Sequence, residues 1–253
     1  GFFWPFDLVR SDEMQGYVLH PFSMDAYPSV RRFLPSSDTP RWTIAVHLFR
    51  RIGQLHREGL TLNGFGRDQV RVEYGTNQVY LVPGETISRV SQIGAAFRGD
   101  FLSVPQVVEQ LEKDGIVLDG RVRDIFSAAV IAFYLLFYTH PFIGEEYSHL
   151  MREQYLEYFQ SRPVFLFDAG GHNGTGHHQF GAEITAQWWR AQPELRQLFS
   201  DFFAALCAGQ IDENAPWNDT ENWIRCLLED AAVNDNDKSR TSYELELEKF
   251  HLV

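Results

Sequence analysis

The sequence predicts an α+β protein that is mainly helical, with a small β piece at the N-terminus and a helical body behind it. Three observations carry that prediction. Two short apolar runs near the N-terminus flank a polar stretch. A continuous apolar run at residues 128–138 is 11 residues long, well short of the roughly 20 that span a membrane and typical of a core helix. Over several other stretches apolar residues recur at steps of three and four, the spacing of one helix face.

Taken in order, residues 6–9 and 16–20 flank Ser11-Asp12-Glu13 and read as a strand pair. Trp42, Ala45, Val46, Phe49, Ile52 and Leu55 share a helix face, and Gly59 stands where a helix C-cap belongs. Residues 70–72 and 78–82 alternate around Gly75-Thr76-Asn77, the pattern of a hairpin. Residues 83–104 have no clear period. Asp124 precedes the apolar helix expected at 125–138, which Pro141 stops. Apolar all round, that helix belongs at the centre of the core. Helical patterns resume at 147–160, 194–208 and 221–232, with a Gly/His loop at 168–178 between the first two. Beyond residue 238, Tyr243, Leu245 and Leu247 alternate with glutamates and read as a strand packing back on the body.

Composition bounds the function. With 22 Lys and Arg against 34 Asp and Glu, the net charge is −12, which repels the phosphates that dominate nucleic-acid affinity. Neither nucleic acid nor a membrane is an expected partner. Gly1-Phe2-Phe3-Trp4-Pro5-Phe6 carries no basic stretch, so it does not read as a signal peptide, and its apolar start suggests a piece of a longer chain. Cys207 and Cys226 are too few for a disulfide scaffold and read as buried thiols in a reducing, cytoplasmic setting.

The segment Leu55-His56-Arg57-Glu58-Gly59-Leu60-Thr61-Leu62-Asn63-Gly64-Phe65-Gly66-Arg67-Asp68-Gln69-Val70 resembles the catalytic-loop region of protein kinases. In that family a helix ending in L-H-x-x-G leads to H-R-D, four residues and Asn, then a hairpin closing on D-F-G. Val104-Pro105-Gln106 resembles A-P-E, and Asp124-Ile125-Phe126-Ser127 the start of the family's central buried helix. Tyr138-Thr139-His140-Pro141-Phe142 resembles the G-x-x-P-F end of that helix. Arg162-Pro163-Val164-Phe165-Leu166-Phe167-Asp168 looks most like bacterial kinase-like proteins associated with phosphatase and von Willebrand-type partners. The resemblance implies a kinase-like C-lobe at 23–233, an N-lobe remnant and hinge at 1–22, and a C-terminal extension at 234–253. The Gly-rich loop and its strands have no counterpart, so the N-lobe is reduced or missing.

The same resemblance implies that the chemistry is gone. Phosphoryl transfer there needs a loop and a lysine on the phosphates, metal ligands, and a base for the substrate hydroxyl. Gly64 stands at the catalytic aspartate, after Leu62 and Asn63; Gln69 replaces the metal-binding Asn; and Pro83 begins the triplet at D-F-G. The three lysines, Lys113, Lys238 and Lys249, all lie beyond the hinge. Asp68 and Glu85 are the surrogate carboxylates within reach of a cation if the loops shift, although exposed loop carboxylates are the ordinary condition of Asp and Glu. Gly64-Phe65-Gly66 reads as a turn needing positive φ. Asp124 is implied as scaffold, its carboxylate holding the catalytic-loop backbone. Gln106, at the A-P-E glutamate, offers only a neutral hydrogen bond.

Other clusters read as structural. Asp168, His172, His177 and His178 gather three of nine histidines, but their spacing matches no standard metal set, and a mobile surface loop is the expectation. His140 and Trp188-Trp189 read as core packing, and Arg31, Arg32, Arg50, Arg51 and Arg57 as a basic cluster. The expected function is that of a pseudokinase, a catalytically inactive interaction or regulatory module with no cofactor and a protein partner. An exposed hinge surface around Tyr17, Leu19 and Phe22 would then need cover from the tail, a second copy or that partner. The alternative is an atypical, ATP-dependent protein kinase with displaced metal ligands and an N-lobe supplied by further chain; a third reading is a helical domain whose likeness is coincidental.

Overall fold

The computed structural model describes residues 2–3, 5–10, 15–19, 23–30, 41–82, 86–90, 96–98, 100–110, 118–176, 178–210, 212 and 214–234, with backbone alone at 5–10, 15–19 and 109–110. Strands β1 (Pro5–Arg10) and β2 (Gln15–Leu19) pair antiparallel, Leu8 opposite Tyr17, with an irregularity between Pro5 and Asp7. Just before them, the Phe3 amide donates to the Leu81 carbonyl at 3.0 Å. The Phe3 ring lies 5.2 Å from each of Tyr27 and Tyr80.

Helix α1 (Arg41–Arg57) buries Ala45, Val46, Phe49, Ile52 and Leu55 of the predicted face together with Ile44 and Leu48, and leaves Trp42 half-buried. It ends where Gly59 adopts φ +72°, a left-handed conformation that costs glycine nothing. A two-residue ladder joins β3 (Leu60–Thr61) to β6 (Ser88–Arg89), and the hairpin β4 (Val70–Val72) with β5 (Val79–Leu81) lies between them in sequence. Val70, Val72, Val79 and Leu81 are fully buried, so the hairpin turns one face to the core.

The helices that follow are α2 (Gln106–Gln110), α3 (Gly120–Phe137), α4 (Tyr155–Ser161), α5 (Gly181–Arg190), α6 (Pro193–Cys207) and α7 (Thr220–Asn234). Around α3, which is buried from Val122 to Phe137 except at Tyr134, the rings of Phe126, Phe133, Phe142, Phe165, Phe199 and Phe203 meet at 5.1–6.1 Å. Each buried phenylalanine contributes roughly 1.5–3 kcal/mol. Helices α1 and α7 run antiparallel. Trp42 Nε1 donates to Asp230 Oδ2 at 2.7 Å near one end, Phe49 stacks on Trp223 at 4.9 Å, and Arg57 meets Glu221 at 3.2 Å near the other. Among the described residues no helix is long and apolar enough to cross a membrane.

Several expectations are corrected. Helix α3 starts at Gly120, capped by the Asp119 side chain on the Arg121 amide at 2.8 Å, so Asp124 lies inside the helix rather than ahead of it. The helix stops at Tyr138, φ +56°, before Pro141 is reached. The single helix expected over 147–160 is instead two 3₁₀ turns, Glu145–Tyr147 and Arg152–Gln154, and the short α4. Tyr147 is buried with its ring 5.0 Å from that of Tyr158; eleven residues of continuous helix would hold them about 16 Å apart. Trp188 is buried and stacks on Phe167 at 4.5 Å, whereas Trp189 is 64% exposed under the Arg196 guanidinium. Of the expected basic cluster, Arg50 is exposed, Arg51 bonds the Val79 carbonyl and Arg57 reaches α7. Arg31, Arg32, Phe22, the side chains of Tyr17 and Leu19, and the expected tail strand lie outside the described residues.

Candidate functional site

The loop after β3 is held by polar side chains of α3 and of the loop itself. Asp124, fully buried on α3, accepts the Leu62 amide at Oδ2 and the Gly64 amide at Oδ1, both at 2.9 Å, and the His56 Nε2–H at 3.0 Å. One carboxylate so buried needs such partners, because an unpaired charge in the interior costs several kcal/mol. Ser127, one turn further along α3, accepts the Phe65 amide at 3.1 Å and donates to the Leu102 carbonyl at 2.8 Å. Asn63 turns at φ +56° and Gly64 at φ +87°, whereas Gly66 is extended at φ −91°, so only the first half of the expected glycine turn needs positive φ.

The Asn63 side chain donates from Nδ2 to the Thr86 carbonyl and, at 2.9 Å, to Ser88 Oγ, tying the loop to the strand that follows the hairpin. Gln69 Oε1 accepts the Gly66 amide at 2.9 Å, and its Nε2 faces the Val82 carbonyl at 3.4 Å. Both ends of that amide are committed to the backbone. Asp68 is exposed on the 3₁₀ turn Arg67–Gln69. Pro83 and Glu85 lie outside the described residues. The geometry therefore brings Gly64, Gln69 and Asp124 into one hydrogen-bonded unit and leaves Asp68 on its rim.

Sequence reasoning missed two members of this unit. His56, 10% exposed, sits beside Asp124, and Phe97 lies against the loop, its amide donating to the Asn63 carbonyl at 2.9 Å. The His56 signal was its place in the L-H-x-x-G segment; Phe97 gave none, being in a stretch without period. Gln106 opens α2 with its amide donating to Gln160 Oε1 at 2.8 Å.

The Gly/His loop, expected as a mobile surface excursion, is exposed at residues 169–172 and hydrogen-bonded at its base. Asn173 is buried in it and donates to the Phe142 and Val164 carbonyls at 3.0 and 2.8 Å. Asp168 pairs with His172 at 2.8 Å while accepting backbone amides of Gly170, His172 and Asn173. His178 turns instead to the Ile143 carbonyl at 2.7 Å, and burial lowers its pKa. Among the described residues no three His, Cys, Asp or Glu side chains form a metal-sized group, and His177 lies outside them.

His140 is buried among Phe101, Phe142 and Phe159. Its Nε2–H donates to the Phe101 carbonyl at 3.0 Å and its Nδ1 accepts the Phe142 amide at 3.3 Å, so the neutral ring is satisfied at both nitrogens. Burial, helped by the charge of Arg67, lowers its pKa to about 3.

No protein-family model and no curated protein sequence matches the chain. Solved structures do. The kinase of the Cydia pomonella granulovirus matches with a TM-score of 0.52 and 12% identity, over 88% of this chain and 74% of that one. A rhoptry kinase from Toxoplasma gondii matches with a TM-score of 0.50 and 15% identity, over 92% of this chain and 62% of that one. The chain therefore has a protein kinase-like, mainly helical α+β fold.

Proposed function

We propose that this protein is a pseudokinase, a kinase-like domain that binds or regulates a protein partner rather than transferring phosphate. One observation carries the reading: the polar side chains at the loop, Asn63 and Gln69, are spent on the protein's own backbone and on Ser88. Gly64 offers no proton acceptor where the resemblance expects the base. The Gln69 amide, where it expects a metal ligand, is spent on Gly66 and Val82. A metal nucleotide entering here would meet the exposed Asp68 and a chain of net charge −12, which opposes its phosphates.

A protein partner fits that charge better than nucleic acid does. The likeness of residues 162–168 to bacterial kinase-like proteins favours a phosphatase or von Willebrand-type partner. The two free cysteines favour a reducing, cytoplasmic setting.

The test is thermal unfolding with millimolar ATP and Mg²⁺, followed by a radiolabelled phosphotransfer assay. No shift in melting temperature and no transfer are expected. A rise of several degrees together with transfer would overturn the reading in favour of an atypical kinase.

A further inference from the structure

A cleft of about 600 Å³ opens between the loop at 166–175 and helices α5 and α6, and it shares no residue with the loop around Gly64. Its floor is apolar. Leu166 and Trp188 are buried there, and the Phe167 ring lies flat on Trp188 at 4.5 Å. One wall is α6, which contributes Arg196 and, a turn later, Ser200. The exposed Trp189 also lines the cleft. Space of this size, apolar with a few polar groups, takes a small ligand or a few side chains of a partner.

Two charged residues line the cleft, and only one has capacity to spare. Asp168 is spent on the amides of Gly170, His172 and Asn173 and on the His172 ring. Arg196 is held in place without being spent. Its Nε donates to the Ala191 carbonyl at 3.1 Å and its guanidinium lies 4.5 Å from the Trp189 ring centre, while nothing pairs with its two Nη groups among the described residues. A guanidinium fixed in this way makes paired hydrogen bonds to a carboxylate at little cost in side-chain freedom. Ser200, whose hydroxyl has no hydrogen bond among the described residues, adds a donor on the same wall. One cation suits one carboxylate, and the chain's net charge of −12 disfavours a phosphate or a strongly acidic segment. A basic segment would find the Asp168 oxygens already taken.

We propose that this cleft docks a segment of a protein partner that carries one glutamate or aspartate beside apolar side chains. The carboxylate pairs with Arg196, and the apolar side chains lie on Trp189 and on the Phe167–Trp188 floor. Tryptophan and arginine are the residues on which protein interfaces concentrate binding energy. The inference rests on the reading that this protein binds a protein partner, and it adds the place and the chemistry of that contact.

The experiment selects from a phage-displayed library of random peptides, about a dozen residues long, on the full chain, and measures the best synthetic peptide by calorimetry. The selected peptides should share one acidic residue next to aromatic or aliphatic ones. Arg196→Gln and Trp189→Ala should each weaken binding about tenfold or more, with melting temperatures within about 2 °C of wild type because both side chains lie at the surface. Arg196→Lys, which keeps the charge and loses the fork, should weaken it as well. Replacing the peptide's acidic residue by its amide should cost the same factor in wild type and almost nothing in Arg196→Gln. No enrichment, enrichment of basic peptides, or binding indifferent to Arg196→Gln would overturn the docking cleft. Arg196-dependent binding by a chain that also transfers phosphate would support the cleft and sink the pseudokinase reading, so the two fail separately.

Discussion

Asp124 shows how much one side chain holds here. It fixes two loop amides and an imidazole from a fully buried position. Asp124→Ala is expected to lower the unfolding free energy by about 3 kcal/mol, read by urea denaturation, and Asp124→Asn by less, since the amide oxygen still accepts one N–H. His140 gives a pH signature. Its pKa of about 3 lies below the ordinary 6.5, so the unfolded chain takes up the proton first. Its contribution is intact above pH 6.5 and is lost as the pH falls toward 3, reaching about 2 kcal/mol by pH 5. His178 shifts in the same direction. His140→Gln should flatten the fall in stability between pH 6.5 and 5; an unchanged slope would mean that other groups carry it. Of these residues, Gly64, Gln69 and Asp124 were legible because motif spacing indexes them. The partners were not, since His56 is 68 residues from Asp124 in sequence and Phe97 is 34 from Asn63, and contact at such separation leaves no local pattern.

Elements were legible where one face is buried and periodic. Helices α1, α6 and α7 and the β4–β5 hairpin follow their apolar spacing, and α3 follows its unbroken apolar run. Helix α5 was missed because it buries only Gly181, Ile184 and Trp188 while Trp189 faces out. The β3–β6 ladder is two residues long, too short for any alternation to register. The start of α3 was misplaced because two aspartates, Asp119 and Asp124, both suit a cap, and only the structure shows which one caps. At this scale the joint between α7 and its neighbours is Asp230. Buried, it accepts Trp42 Nε1 and the Gln192 amide at 2.7 Å each and the Asn234 side chain at 2.9 Å. Asp230→Ala should cost about 2–3 kcal/mol by stranding those donors, and Trp42→Phe about 1 kcal/mol. Equal melts for wild type and Asp230→Ala would show that the joint contributes nothing.

Across the whole molecule, the core is one aromatic mass around α3, so unfolding should be a single event. Burial raises the thiol pKa of Cys207 to about 12 and raises that of Cys226 as well, and thiolate is the reactive form. Labelling of both by a disulfide reagent at pH 8 should therefore track global unfolding in urea with one midpoint, the same as that of tryptophan fluorescence. Labelling well before that midpoint would reveal a separately opening α6–α7 unit. The antiparallel seam of α1 and α7 adds a directional property. The Trp42–Asp230 bond closes it near the start of α1 and the end of α7, and Arg57–Glu221 near the opposite ends. Tension applied between residues 41 and 234 would load those contacts one after another, like a zip, whereas tension between residues 57 and 234 would slide the helices along each other and strain every contact together. The seam should therefore part at low force in the first geometry and resist in the second.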